Sequence, residues 1–284
     1  MQFDEQQKAA ASQQQPAYAP PIAAYSIPIN ANAMEPPVQQ LSPPTQTGQA
    51  EPSRRTSFLD RIPILKGDTE RQGFVRKVYA LLFIQLAITS AFVGAAVASQ
   101  TLRDFMRANA WLYFVTAFGA LAISFSLYCF YGAFKRVPTN YILLFTFTLL
   151  ESYSVAVITS FYTPMSVLAA GLITLVMTLS LSLYACFTKS DFTRWYHGLL
   201  WVFIGTSLTF IIFIVIYPSS YLFFIFSLVI VILVSIFIIV DTQLIMGGQR
   251  YGLTYDDYVL AVLLLYTDII TLFIYILSLF GSRD

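Results

Sequence analysis

From Val78 onward the chain alternates long apolar stretches with short polar ones. Seven stretches have spanning length: 78–99, 109–132, 139–161, 165–187, 196–217, 220–244 and 257–280. A helix needs about 20 mostly apolar residues to cross the hydrocarbon core of a bilayer. The breaks carry the proline, glycine and charge that helix ends at an interface require. They are Arg103-Asp104, Lys135-Arg136-Val137-Pro138, Thr163-Pro164, Lys189-Ser190-Asp191, Pro218-Ser219, and Gly247-Gly248 through Asp257. The pattern predicts an all-α integral membrane protein whose residues 71–284 form a seven-transmembrane-helix bundle. The seventh run holds a charge at its centre, so it either spans fully or re-enters.

Before this region the pattern disappears. Residues 1–66 hold ten of the 13 prolines, with much Gln, Ala and Ser. Such a segment buries too little apolar surface to offset its ordering entropy, so residues 1–70 are predicted to be a disordered cytosolic tail. Its proline pairs, Pro20-Pro21, Pro36-Pro37 and Pro43-Pro44, offer polyproline ligands for a partner domain or are simply solvated. Arg54-Arg55-Thr56-Ser57 has the form of a site for a basic-directed kinase. The first apolar run starts too late for a cleavable signal peptide, so the first span is expected to direct insertion.

Composition sharpens the class. Charged residues make up 11% of the chain and hydrophobic ones 57%, where soluble domains carry about 25% charged residues. A net charge of +1 gives no basic excess for nucleic acid. Cys129 and Cys186 are too few for a disulfide framework and lie in no metal-binding spacing; near helix ends they are palmitoylation sites or small apolar packers. No Asn-x-Ser/Thr acceptor marks a lumenal face. Basic residues in short loops set orientation. With Arg71, Arg76 and Lys77 in the cytosol, so are Lys135, Arg136, Lys189, Arg194 and Arg250. The opposite side receives Arg103, Arg107 and Arg283. The N-terminus is therefore expected to be cytosolic, which also argues against a G-protein-coupled receptor.

Away from their ends, the apolar runs hold three acidic residues: Glu151, Asp241 and Asp268. A charge near mid-membrane costs roughly 2.5–3.5 kcal/mol on insertion scales, so such residues mark function by default. Thr148, Glu151 and Ser154 recur along one face of the third run, and Asp268, Thr271 and Tyr275 along one face of the seventh. Hydroxyls alone on such stripes are ordinary interhelical hydrogen-bonding groups. The sixth and seventh runs are joined by a short loop and should pack antiparallel. Asp241 and Asp268 then approach, with Asp268 deeper by roughly two turns. Two close carboxyls in a low dielectric do not both ionise easily, so they share a proton; ionised, they ligate a cation. A base at the end of the second run, Lys135 or Arg136, is positioned to neutralise Asp241 in a closed state.

Several stretches resemble the transmembrane Bax-inhibitor-motif family, lifeguard branch: Gly73-Phe74-Val75-Arg76-Lys77-Val78-Tyr79, Pro138-Thr139-Asn140-Tyr141, the Thr148…Glu151 stripe and Val240-Asp241-Thr242-Gln243. The most specific is Leu265-Tyr266-Thr267-Asp268-Ile269-Ile270-Thr271-Leu272-Phe273, running on to Leu279-Phe280-Gly281. The resemblance covers about residues 70–284. It implies a seven-helix fold with the last helix central, and calcium leak across an endoplasmic reticulum or Golgi membrane, gated by pH. It also implies suppression of cell death. The family's paired aspartates fall on Asp241 and Asp268, which are also the implied calcium ligands, and its latching arginine falls near Lys135-Arg136, with Arg136 favoured. Calcium enters as the ion carried; no cofactor is implied.

Two other readings compete. An intramembrane aspartyl protease also sets two aspartates on adjacent helices. Here, however, they follow Val240 and Thr267 in place of that enzyme class's motifs, and no Pro-Ala-Leu occurs, so no enzyme is expected. A non-conducting membrane protein that regulates apoptosis by binding partners is the alternative, and ion flux separates the two.

Overall fold

The computed structural model describes residues 69–129, 132, 135–216, 219–247 and 253–283. Residues 1–68 of the expected disordered tail, with its proline pairs and the Arg54–Ser57 motif, lie outside the described residues, as does Arg250. Thr69 and Glu70, placed in the tail from the sequence, open the first helix instead, and all described residues belong to the unit Arg54–Asp284. Among the described residues eight α-helices follow one another: α1 Thr69–Ala98, α2 Gln100–Ala108, α3 Trp111–Cys129, α4 Thr139–Thr159, α5 Pro164–Phe187, α6 Tyr196–Ile216, α7 Ser220–Met246 and α8 Tyr258–Phe280. Among the described residues every other regular element is a 3-10 turn, apart from one isolated bridge between Tyr162 and Arg283.

Among the described residues six helices are long and apolar enough to cross a membrane, and a seventh span results if α2 and α3 count together. The protein is thus an all-α multi-pass membrane protein. α2 and α3 meet at 79°. The break around Arg103-Asp104 is itself a short helix, capped by Ser99, whose hydroxyl accepts from the Leu102 amide at 3.3 Å. Its charges form its inner contacts: Arg103 donates to the Val97 carbonyl and Arg107 to the Ser160 carbonyl, both at 2.7 Å.

Local chemistry sets the other ends. Thr163 caps α5 with Pro164 in the first turn, where a missing N–H costs nothing. α7 stops at Gly247, which takes φ 85° as a left-handed C-cap. Thr254 and Asp257 form a reciprocal capping box before α8.

α8 is the core of the bundle, packing on α1, α4, α5 and α7. In its most apolar window 56% of residues are buried, against none in the corresponding window of α6. Leu265, Tyr266, Leu272, Ile276 and Leu277 of α8 are fully enclosed, with Phe147 of α4 edge-on to Tyr266. Outward residues such as Phe114, Phe118 and Trp201 are mostly exposed, as lipid-facing positions are. Lipid removes the hydrophobic drive between helices, so packing and interhelical hydrogen bonds must hold them. A buried polar seam supplies the second: Gln85 donates to Thr148 at 2.6 Å, and the Thr89 hydroxyl pairs with Ser152 at 2.9 Å and Tyr266 at 2.8 Å. It joins α1, α4 and α8.

Candidate functional site: a buried carboxyl pair

α7 and α8 run antiparallel and in close contact, which brings two aspartates from distant sequence positions face to face. The carboxyls of Asp241 and Asp268 lie within hydrogen-bonding range of each other. Asp241 is 3% exposed. Oδ1 of Asp241 and Oδ2 of Asp268 are buried with no hydrogen-bond partner among the described residues. Both residues border a cavity of ≈ 260 Å³ between α3, α6, α7 and α8, whose lining also includes the hydroxyl-bearing residues Ser124, Tyr196, Thr267 and Thr271. Leu200, Phe203, Val234 and Phe237 make the remainder mainly apolar.

A carboxyl pair in this setting has two stable arrangements. With one shared proton, each oxygen between the groups has a partner; without it, two negative charges face each other and demand a cation. Calcium takes six to eight oxygens. Among the described residues no three His, Cys, Asp or Glu side chains gather to supply such a set.

Each residue of the Asp241-Thr242-Gln243 triplet faces a different neighbour. Thr242 reaches Ser182 of α5 at 3.4 Å and the hydroxyl of Tyr79 on α1. Gln243 pins the α5–α6 connection, donating to the Ser190 carbonyl at 2.8 Å and accepting from the Phe192 amide at 2.9 Å.

The other sequence-derived residues are dispersed. Thr271 shares the cavity, whereas Tyr275 lies in electrostatic reach of Tyr113. Glu151, half-buried on α4, lies in reach of Tyr113 and Tyr266 and does not line the cavity. Its stripe is divided, since Thr148 bonds Gln85 of α1 and Ser154 bonds Thr116 of α3 at 2.8 Å. Lys135 pairs with Asp257 at 2.9 Å, at the entrance to α8, and the Arg136 side chain is exposed. In this state neither base is on Asp241. Gln85 and Thr89 were not singled out from the sequence, although an amide and a hydroxyl four residues apart in an apolar run were the available signal.

A many-helix membrane bundle with an acid pair at its central helix is the class these features define. Residues 71–284 match the sequence model of the family described as "Inhibitor of apoptosis-promoting Bax1". The chain is 31% identical to protein lifeguard 3 of Mus musculus over 218 residues, covering 75% of this chain and 70% of that protein. It is 32% identical to protein lifeguard 3 of Homo sapiens over the same length and shares. Against protein lifeguard 4 of Mus musculus it is 34% identical over 211 residues, 73% of this chain and 84% of that protein. The chain belongs to the Bax-inhibitor family, in its lifeguard group, a membrane family of apoptosis inhibitors and not a known enzyme family.

Proposed function

We propose that this protein is a proton-gated cation leak, carrying calcium across an endoplasmic reticulum or Golgi membrane with its N-terminus in the cytosol, and restraining cell death by limiting stored calcium. The observation that supports this most is the Asp241–Asp268 pair on the cavity wall, with one unpartnered buried oxygen on each residue. Acids this expensive in a membrane are retained for a path or a relay. A proton on the pair closes it as a hydrogen bond. Its loss leaves a doubly charged ligand for a passing cation. Lipid is the surrounding partner, and the proline-rich tail is the proposed contact for cell-death regulators.

The test is calcium flux from liposomes holding the purified protein, read across pH. Asp241→Asn and Asp268→Asn should each insert normally and give a leak with an altered pH dependence, because an amide cannot share the proton and only one carboxyl is left to titrate. An inert wild type would favour the partner-binding reading, and unchanged pH profiles in both variants would remove the pair from the mechanism.

A further inference from the structure

Arg71 stands in the first turn of α1, yet its guanidinium serves α7 and α8 and is buried, with 7% of the residue exposed. One terminal nitrogen donates to the Leu244 carbonyl in the last turn of α7 at 2.7 Å, and the other to the Leu253 carbonyl just before α8 at 2.6 Å. The Leu253 amide donates to the same Leu244 carbonyl at 3.3 Å, so both ends of the α7–α8 connection meet under one side chain. Phe74 and Tyr255 flank it, their ring centres 4.9 and 6.0 Å from Cζ. The fit depends on Gly247, where a Cβ would come within 3.0 Å of Nε.

The chemistry suits this place. Carbonyls in a helix's last turn have no partner within the helix and carry its negative dipole end, and a planar guanidinium can bridge two acceptors at once. Leu244 lies three residues after Asp241, about one turn away on the same side of α7. Leu253 opens the segment that leads to Asp268. We infer that Arg71 is a positioning residue for the acid pair, setting α7 against α8 so that Asp241 and Asp268 meet. The inference rests on the proposed role of that pair. The groups facing the pair are Ser124 of α3, Tyr196 of α6, and Thr267 and Thr271 of α8. From α1 and α5, Tyr79 and Ser182 reach the adjoining Thr242. Among the described residues no arginine or lysine borders the cavity, so Arg71 acts through backbone geometry.

The experiment titrates the full-length protein in liposomes by infrared spectroscopy, following the part of the carboxylic C=O absorption that differs between wild type and Asp268→Asn, with calcium leak measured in parallel. Arg71→Ala should displace the midpoint of that titration by about one pH unit. Gly247→Ala, which keeps the arginine and blocks its seat, should do the same, and Arg71→Lys should move the midpoint by less. Where the alanine variants fail to insert, Arg71→Lys decides. Wild-type midpoints in every variant that inserts, even with lower unfolding temperatures, would overturn the inference. Displaced carboxyl titration in a protein that carries no calcium would uphold it and discard the leak reading.

Discussion

Gln243 uses both ends of one carboxamide on the backbone between α5 and α6. Truncating it leaves the Ser190 carbonyl and Phe192 amide without that partner, and each such part-buried hydrogen bond contributes about 0.5–1.5 kcal/mol. Gln243→Ala should therefore lower the thermal unfolding midpoint in detergent, while Gln243→Glu, which keeps the acceptor, should lose less; equal losses would mean that the acceptor side carries nothing. At this scale the sequence was uneven in what it disclosed. Asp241 and Asp268 were legible because a carboxyl in an apolar run is costly wherever the helix lands. Arg71 was not, since before an apolar run an arginine reads as a topology mark, and its acceptors lie 173 and 182 residues away. Lys135 was read as a base that seeks an acid, and the acid it meets is Asp257.

α8 is held at both ends. At one, Tyr258 accepts from Asn140 and lies under Lys77, whose Nζ is 3.2 Å from the ring centre, beside the Lys135–Asp257 pair. At the other, the chain after α8 docks on the α4–α5 turn: the Thr163 amide donates to the Ser282 carbonyl at 3.0 Å, and the Ser282 amide to Ser166 Oγ at 2.9 Å. Gly281 makes that approach possible, because a Cβ there would sit 2.4 Å from the Leu277 carbonyl and 2.7 Å from the Tyr162 ring. Gly281→Ala should cost about 1–3 kcal/mol by overpacking, seen as a fall in unfolding temperature that an added Tyr162→Ala partly relieves. No relief would place the strain on the carbonyl alone. Helix existence was readable from apolar run length for nearly every span. The 79° turn between α2 and α3 was not, because Arg103-Asp104 has the same appearance in a loop and in a short capped helix.

For the whole molecule, orientation is testable through the two cysteines. Cys129 is exposed at the end of α3 and Cys186 is buried. With the proposed cytosolic N-terminus, a membrane-impermeant maleimide added to sealed microsomes should label the protein once, and Cys129→Ser should abolish that label. Labelling that appears only after permeabilisation would invert the topology. The central helix also constrains how such a bundle can move. Tyr266 is bonded toward α1, while Asp268, two residues on, faces the cavity shared with α7. Positions two apart stand about 200° apart around a helix axis. A twist of α8 therefore pulls both side chains from their seats together, and each blocks the turn the other would need. A rocking motion pivoted at that level disturbs neither and displaces the two tips most. Such a motion would have to release the contacts of Asp257 and Ser282 that hold the tips, with the middle acting as the fulcrum.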